Sequence, residues 1–316
     1  MVFRETGRLA ARIIVTVLAG LFFCSAGSAA ENWPRRFTNI DGSQTDIPNK
    51  PERILSTSVT LTGALLAIKA PVVASGAAAN GRFFAQWAAI ADERGVENVW
   101  PAGKVDLESV YAVEPDLIIV TASGAGSTRD QLDAFRKIAP TILVDDGAMS
   151  WQALATELGK ATGLEAGATS AIADFDAYAA EARKKITVPQ GKANIISFNG
   201  AGQSNPIALP TGPHAALLAS LGFEIEAPDQ AWHTQARNRD DFVWADYERL
   251  VDLKAETTFL LRFDDKMADA FRNDPVLANL ASIRNGQVYG LGVHSFRIDY
   301  YSGREVIDGI VATFGN

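Results

Sequence analysis

Short apolar segments alternate with amphipathic segments along most of the chain. Residues 117–120 and 259–261 carry apolar side chains only, which is typical of parallel strands buried on both faces. Strands that alternate with helices predict two Rossmann-like α/β lobes, each built on a parallel sheet. Such sheets hold ligands at the carboxyl ends of their strands. We therefore expect a ligand cleft between the two lobes.

The pattern repeats within the chain. Asp106 and Glu108 in DLESVYAVEPDLIIV match Asp246 and Glu248 in DYERLVDLKAETTFLL, at an offset of 140 residues (246 − 106). In both copies an acidic first turn opens a short helix that leads into an apolar strand. RILSTSV and ANIISFNG form a second pair, because each predicts a strand that is followed by a helix with an ALLA core. Two copies of one topology predict two similar lobes.

A long amphipathic segment separates the two copies. Its apolar residues recur at three- and four-residue steps, which predicts one helix. About 22 residues at ~1.5 Å each span ~33 Å, enough to bridge two lobes. We expect an N-terminal lobe over 31–163, a connecting helix over 164–187 and a C-terminal lobe over 188–316. Because a single helix resists wide hinge motion, we expect a largely preformed cleft. The periodic residues are Ile172, Phe175, Ala179, Ala182 and Ile186.

The first 30 residues have the pattern of a cleavable signal peptide. Three arginines precede an apolar stretch of 11 residues over 13–23, which is too short to span a bilayer. Small residues follow, and we expect cleavage after Ala30 and a periplasmic protein. The single cysteine, Cys24, lies in this segment. Phe23 stands before it, where an acylation signal needs a small residue, so we expect no lipid anchor.

Composition and motifs exclude several function classes. The net charge of −8 disfavours nucleic acid as a partner, since a phosphate backbone requires a basic face. Catalytic signatures such as GxSxG, Walker A and HExxH are absent, so we expect no enzyme, and we expect no cofactor. A secreted α/β enzyme remains the weaker alternative. His214, His233 and His294 are scattered, which does not predict a metal site.

Arginines and aromatic residues occur together in predicted loops at strand ends. Guanidinium groups stack on aromatic faces and stay charged at physiological pH, so the set suits a flat, weakly hydrated anion. A ferric tris-catecholate is such an anion, and its iron is already six-coordinate and needs no protein ligand. The alternative for each arginine is an ordinary solvated surface position. The candidate ligand-binding residues are Arg82, Trp232, Arg239, Arg262, Phe296, Arg297 and Tyr300.

Three segments carry a resemblance to a known family. RILSTSVTLTGALLAIKAPVVASG, LDAFRKIAPTILV and VYGLGVHSFRIDYYS resemble the siderophore, haem and cobalamin class of solute-binding proteins of ABC importers. The resemblance covers the chain after the signal peptide and implies two α/β lobes joined by one long helix. It implies that the protein binds an enterobactin-like ferric catecholate and delivers it to an inner-membrane permease dimer with its ATPase. Hydroxamate siderophores, haem or cobalamin are the alternative ligands.

The resemblance also assigns roles to single residues. Glu108 and Glu248 match the two glutamates that dock on arginines of the permease dimer, and Arg297 matches a pocket arginine. Arg82 and Arg239 stand where the family has further basic residues. The loops at 80–82, 200–213 and 232–233 depart from the family pattern, which leaves the exact siderophore open. His294, beside FRIDYYS, could fill an open iron site on a bis-catecholate. We expect a monomer, since both lobes must be free to dock.

Overall fold

The computed structural model describes Met1 and residues 33–124, 126–147, 149–236 and 240–316. The predicted signal peptide with Cys24, and the loop arginines Arg237 and Arg239, lie outside these residues. Residues 33–316 form one compact unit. No helix in the described part of the chain has the length and apolar character needed to cross a membrane.

The first lobe is built on a five-stranded sheet in which every pair of neighbours is parallel. The strand order is β5-β4-β3-β6-β7. An antiparallel hairpin of β1 and β2 precedes it. The strands of the sheet are mostly buried, as their apolar sequences predict. The bounds are β1 (Arg35–Thr38), β2 (Gln44–Ile47), β3 (Ile54–Ser56), β4 (Val72–Ala77), β5 (Glu97–Pro101), β6 (Leu117–Thr121) and β7 (Thr141–Val144).

Helices connect these strands, and several begin at a side-chain cap. Ser58 accepts hydrogen bonds from the backbone N–H groups of Thr60 and Leu61 at the start of α1. Asp106 caps α3 in the same way through Glu108 N–H. The caps leave the polar residues at helix starts on the side where the strands end. The bounds are α1 (Val59–Ala67), α2 (Ala85–Glu93), α3 (Leu107–Ala112), α4 (Leu132–Phe135) and α5 (Trp151–Thr162).

The second lobe has the same strand order, β11-β9-β8-β12-β13, with the short β10 paired in parallel to the start of β8. β8, β12 and β13 are parallel, whereas β9 is antiparallel to both of its neighbours. The predicted α/β fold of two lobes with parallel sheets is confirmed, and the reversed β9 is an addition. The bounds are β8 (Lys192–Ile196), β9 (Ser204–Ala208), β10 (Glu224–Ile225), β11 (Phe242–Asp246), β12 (Thr257–Leu260) and β13 (Val288–Gly290).

Four α-helices, a three-residue 3₁₀ segment, Gln230–Trp232, and a six-residue 3₁₀ helix, Tyr247–Asp252, accompany the described strands of the second lobe. The 3₁₀ helix follows β11 and leads into β12, as α3 follows β5 and leads into β6. The two lobes therefore repeat the same order of a short helix between equivalent strands. The α-helices are α7 (Pro213–Ser220), α8 (Asp269–Arg272), α9 (Ala281–Arg284) and α10 (Tyr300–Phe314).

The helix α6 (Glu165–Arg183) joins the lobes where the sequence predicts a connecting helix. It packs against α5 of the first lobe, α7 of the second, and α10. Its buried face includes Phe175, Ala179 and Ala182, three of the five periodic residues. α10 adds a second connection, because it also packs on α1 and α2 of the first lobe. The predicted boundary residues of the lobes stay a prediction.

Candidate ligand-binding cleft

The first lobe contributes a network of hydroxyl groups and a carboxylate at the ends of its strands. Asp146 follows β7 and is buried. Its carboxylate accepts hydrogen bonds from Thr121 Oγ1, at the end of β6, at 2.5 Å and from Ser58 Oγ, at the start of α1, at 3.2 Å. Three neighbouring strand ends thus converge on one acidic group. We call Ser58, Thr121 and Asp146 the N-lobe rim.

The carboxyl group of Asp146 also interacts electrostatically with a residue of the second lobe. Burial raises the pKa of its carboxyl group, while the hydrogen bond from Thr121 and the positive charge of Arg297 act in the opposite direction. Arg297 belongs to the loop between β13 and α10 of the second lobe. Its positive charge acts on the buried carboxyl group of the first lobe, so the loop that carries Arg297 lies near the end of β7.

Arg262 occupies the equivalent edge of the second sheet, just after β12. Its side-chain Nη2 donates to Ser197 Oγ at 2.9 Å and to Asn199 Oδ1 at 2.6 Å, both from the segment that follows β8. Its backbone N–H donates to Ser295 Oγ at 3.0 Å. The backbone has φ of +65°, a left-handed conformation that side chains seldom adopt and that local contacts must hold. The guanidinium is thus fixed in place by neutral groups.

An aromatic face lies directly beside this cation. Arg262 Cζ is 5.3 Å from the centroid of the Phe296 ring, which in turn stacks on Phe242 at 6.4 Å with a 12° angle between the planes. Phe296 remains 42% exposed, so its ring is available to a ligand. Within the described residues, no carboxylate pairs with Arg262. Arg262, Phe296 and Arg297 form what we call the C-lobe rim.

His214 holds the backbone of the C-lobe rim in place through hydrogen bonds. Its Nε2 lies 2.9 Å from the carbonyl oxygen of Ser295 and 3.0 Å from that of Phe296, so Nε2 carries the hydrogen and donates to both. Nδ1 is buried and has no hydrogen-bond partner among the described residues, and burial lowers the pKa of the imidazole to about 4. The ring is therefore neutral at physiological pH. It ties the loop that carries Phe296 and Arg297 to the start of α7.

The same loop ends in a contact with the first lobe. Asp299 caps α10 by accepting from the backbone N–H groups of Tyr301 and Ser302, both at 2.8 Å. It also accepts from Gln86 Nε2 of α2 at 3.0 Å. Burial raises the pKa of the Asp299 carboxyl group. The loop of Arg297 is thus fixed on one side by His214 and on the other by a hydrogen bond between the lobes.

The remaining predicted cleft residues lie in three different settings. Arg82 is exposed in the loop between β4 and α2, and its side chain forms no hydrogen bond or ion pair with a described residue, which leaves it available at a strand end. Trp232 is half-buried against the core of the second lobe. Arg239 is outside the described residues.

Tyr300 is not brought together with Arg262 and Phe296. Its ring packs against Trp151 of α5 at 5.6 Å and Phe175 of α6 at 6.1 Å. The cap at Asp299 starts α10 there, and the first turn directs this side chain into the layer of helices between the lobes. Its observed contacts are those of a packing residue.

The predicted docking glutamates are both exposed. Glu108 lies in the first turn of α3 and Glu248 in the first turn of the 3₁₀ helix Tyr247–Asp252. A negative side chain at these places is favoured by the partial positive charge of a helix start. Neither forms an ion pair with a described residue.

His294 has a protein partner, because its Nδ1 lies 2.8 Å from Glu305 Oε2. The described residues contain no group of three or more His, Cys, Asp or Glu side chains that could hold a metal ion.

Sequence reasoning missed Asp146, His214, Ser197 and Asn199. A signal existed for three of them, since Asp146 lies two residues after an apolar strand and Ser197 and Asn199 follow another, at the edge where ligand sites form. His214 offered none, because its partners lie 81 residues or more along the chain. Together the two rims present cations, an aromatic face, hydroxyl groups and one buried carboxylate, and the cations and aromatic face of the C-lobe rim are suited to binding a flat anion.

Comparisons with known proteins agree with this architecture. A family model described as periplasmic binding protein matches residues 54–293. The chain is 38% identical over 309 residues to the ferric enterobactin-binding periplasmic protein FepB of Escherichia coli O6:H1, covering 94% of this chain and 96% of that protein. The crystal structure of holo-ViuP has 50% identity and a TM-score of 0.86, covering 90% of this chain and 96% of that one.

A more distant structure agrees in fold alone. The periplasmic catecholate-siderophore binding protein VctP from Vibrio cholerae has 18% identity and a TM-score of 0.58, covering 88% of this chain and 98% of that one. The match of the family model and the long alignments to FepB and ViuP include both lobes and the connecting helix. The chain belongs to the periplasmic binding protein family.

Proposed function

We propose that the protein binds a ferric catecholate siderophore of the enterobactin kind and delivers it to an ABC importer in the inner membrane. The observation that carries this proposal is the geometry of Arg262. Its guanidinium is oriented by Ser197 and Asn199 and lies over Phe296, without a carboxylate partner among the described residues. A cation that is held in place but not neutralised is suited to an anionic ligand.

The ligand chemistry follows from the rim. A ferric tris-catecholate spreads three negative charges over three aromatic rings, so it can interact with guanidinium groups and with an aromatic face at once. Arg297 adds a second cation on the same rim. Because the siderophore already fills the coordination sphere of the iron, the protein needs no metal ligand and acts as a carrier without catalysis or cofactor. FepB, whose name states that it binds ferric enterobactin, supports this choice.

Delivery requires export and a docking partner. We propose that the signal peptide is removed after Ala30 and that the protein works in the periplasm as a monomer. Glu108 and Glu248, one on each lobe, would then meet basic residues of the permease dimer, whose ATPase drives import. Arg82, Arg239 and Trp232 remain proposed contacts at the edge of the cleft.

Tryptophan fluorescence tests the proposal directly. The protein starting at Glu31 is titrated in parallel with a ferric tris-catecholate, a ferric tri-hydroxamate and haemin. We expect saturable, sub-micromolar quenching by the catecholate alone, because a neutral hydroxamate complex gains little from unpaired arginines. Tight binding of only the hydroxamate or haemin would keep the transport role and reject the ligand. Absence of binding by all three would reject the siderophore function.

A further inference from the structure

The two short helices that carry the proposed docking glutamates also share a pattern of buried and exposed positions. At the 140-residue offset, buried Val110 of α3 corresponds to buried Leu250 of the 3₁₀ helix, and both are 0% exposed. Exposed Glu108 corresponds to exposed Glu248. Although one segment is α-helical and the other 3₁₀, each therefore directs the same positions inward and the same positions to solvent.

The next matched position is apolar and exposed in both lobes. Tyr111 is 61% exposed and Val251 is 43% exposed, and they too are separated by 140 residues (251 − 111). Single exposed apolar residues are ordinary on protein surfaces. A matched pair, each three residues after an exposed glutamate, is less ordinary, because the burial of the hydrophobic core does not require it.

Both segments occupy the same place in their lobes. α3 leads from β5 into β6, and β6 lies between β3 and β7. The 3₁₀ helix leads from β11 into β12, and β12 lies between β8 and β13. Since β11 runs in the same direction as β8 and β12, each segment begins at the carboxyl-end edge of its sheet. The two acid-and-apolar patches are thus equivalent in the topology of the lobes.

We propose that Tyr111 and Val251 are the apolar anchors of the docking surface, and that the importer offers each of them an apolar pocket beside a basic group. This inference rests on the proposed function, in which the two glutamates dock on the permease. A surface with two equivalent patches fits a partner built from two equivalent subunits. Because the two halves of such a partner are equivalent, the pocket on each half must be large enough for Tyr111, and the smaller Val251 fills it less completely.

The two residue types contribute differently to docking. Exposed charges steer the encounter and mainly set the association rate and its dependence on salt. Apolar side chains that become desolvated at the centre of an interface act on the dissociation rate, and large aromatic anchors such as tyrosine are frequent among the residues with the strongest effect. In each patch the acid would therefore raise the rate of association with the importer, and the apolar residue would slow dissociation of the complex.

Kinetics of docking separate these contributions. Binding to the cognate importer, with its permease and ATPase subunits in lipid nanodiscs, is measured for Tyr111→Ala, Val251→Ala and their combination. We expect dissociation to become about tenfold faster for Tyr111→Ala and about threefold faster for Val251→Ala, with unchanged association rates and salt dependence. Glu108→Gln and Glu248→Gln should instead slow association and flatten its salt dependence. Ile40→Ala, at a site 56% exposed in the β1–β2 turn, is the matched control without effect.

The outcomes distinguish the two proposals. If the glutamine variants alter docking while Tyr111→Ala and Val251→Ala dissociate like the unmodified protein, the anchors are rejected and glutamate docking stands. If none of the four variants changes docking, the docking part of the proposed function fails as well. Loss of binding to empty nanodiscs in the alanine variants would show a lipid contact and overturn the permease as occupant. Unchanged catecholate quenching in every variant confirms that the cleft is intact.

Discussion

The two lobes have the same strand order but opposite chemistry at the rims formed by their strand ends. The N-lobe rim is acidic and rich in hydroxyl groups, and its buried Asp146 is already hydrogen-bonded to Ser58 and Thr121. The C-lobe rim is cationic and aromatic, with Arg262 stacked over Phe296. The short helices with Glu108 and Glu248, in contrast, have kept the same exposed residue types in both lobes.

This contrast indicates two different demands on one repeated fold. A ligand in the cleft would meet one copy of each rim, so nothing requires the rims to be alike, and they differ. A partner that contacts both short helices meets the same chemistry twice. The asymmetry of the cleft and the symmetry of the helices therefore point to one anionic ligand and one two-fold symmetric partner.

The largest expected effect concerns His214, whose imidazole donates hydrogen bonds to the loop of the C-lobe rim. Burial lowers the pKa of its imidazole from 6.5 to about 4 in the folded protein. Between these values the unfolded chain binds a proton that the folded protein does not, so the free energy of unfolding falls as the pH is lowered. The shift corresponds to about 3 kcal/mol lost by pH 4. In His214→Gln, whose side-chain amide can still donate to the loop, this loss should disappear.

Urea denaturation at a series of pH values from 7 to 4 gives the free energy of unfolding of both proteins, and its dependence on pH is then compared. His294→Gln is the matched control, because it removes a histidine at the surface and leaves the contribution of His214 in place. A pH profile of His214→Gln that parallels the unmodified protein would contradict a neutral, buried imidazole.

In addition, catecholate affinity should depend on the hydrogen bonds that hold the loop, so His214→Phe, which cannot donate, should bind more weakly than His214→Gln at pH 7.

The next largest effect concerns the cation of the C-lobe rim. Arg262→Ala removes the charge over Phe296 and its hydrogen bonds to Ser197 and Asn199. We expect the affinity for a ferric tris-catecholate to fall about 10- to 100-fold, the range for loss of a charged hydrogen-bonding group. Fluorescence quenching gives the dissociation constant. Arg36→Ala is the matched control, since that exposed arginine pairs with Asp46 on the β1–β2 hairpin. Equal affinities in the two variants would remove Arg262 from the site.

Much of the fold could be predicted because it depends on local patterns. The buried strands, the helices with an ALLA core and the connecting helix all follow from apolar periodicity within short segments. β9 was missed although a turn signal preceded it. Gly200 and Gly202 adopt φ of +90° and +71°, which a tight turn uses, and the chain reverses there to pair antiparallel with β8.

The candidate site was predicted less completely because it depends on contacts between distant segments. Arg262, Arg297 and Phe296 could be proposed from residue type and from their place at strand ends. The support that His214 gives to the loop, and the charge of Arg297 near Asp146, require the folded arrangement of both lobes. The packing of the Tyr300 ring on Trp151 and Phe175 also requires this arrangement, and its contact with the ligand stays a prediction.

The smallest expected effect concerns Asp146, the acidic group of the N-lobe rim. Asp146→Asn keeps an oxygen that can accept from Ser58 and Thr121 but removes the carboxylate that acts on Arg297. Without this negative charge near an anionic ligand, catecholate affinity at pH 7 should rise about threefold, a modest change because the positive charge of Arg297 already offsets the carboxylate. Asp46→Asn, an exposed acid on the β1–β2 hairpin, is the control that removes one charge elsewhere.

The pH dependence of this gain identifies its source. Burial raises the pKa of Asp146 above its ordinary value of 3.8, so the unmodified protein takes up this proton earlier than an exposed acid would as the pH falls. Once Asp146 is protonated it is neutral, like the asparagine that replaces it. The two affinities should therefore converge as the pH is lowered through the pKa of Asp146. A gain that stays constant with pH would mean that the N-lobe rim acts on the ligand through shape, and the contrast of charge between the rims would not govern binding.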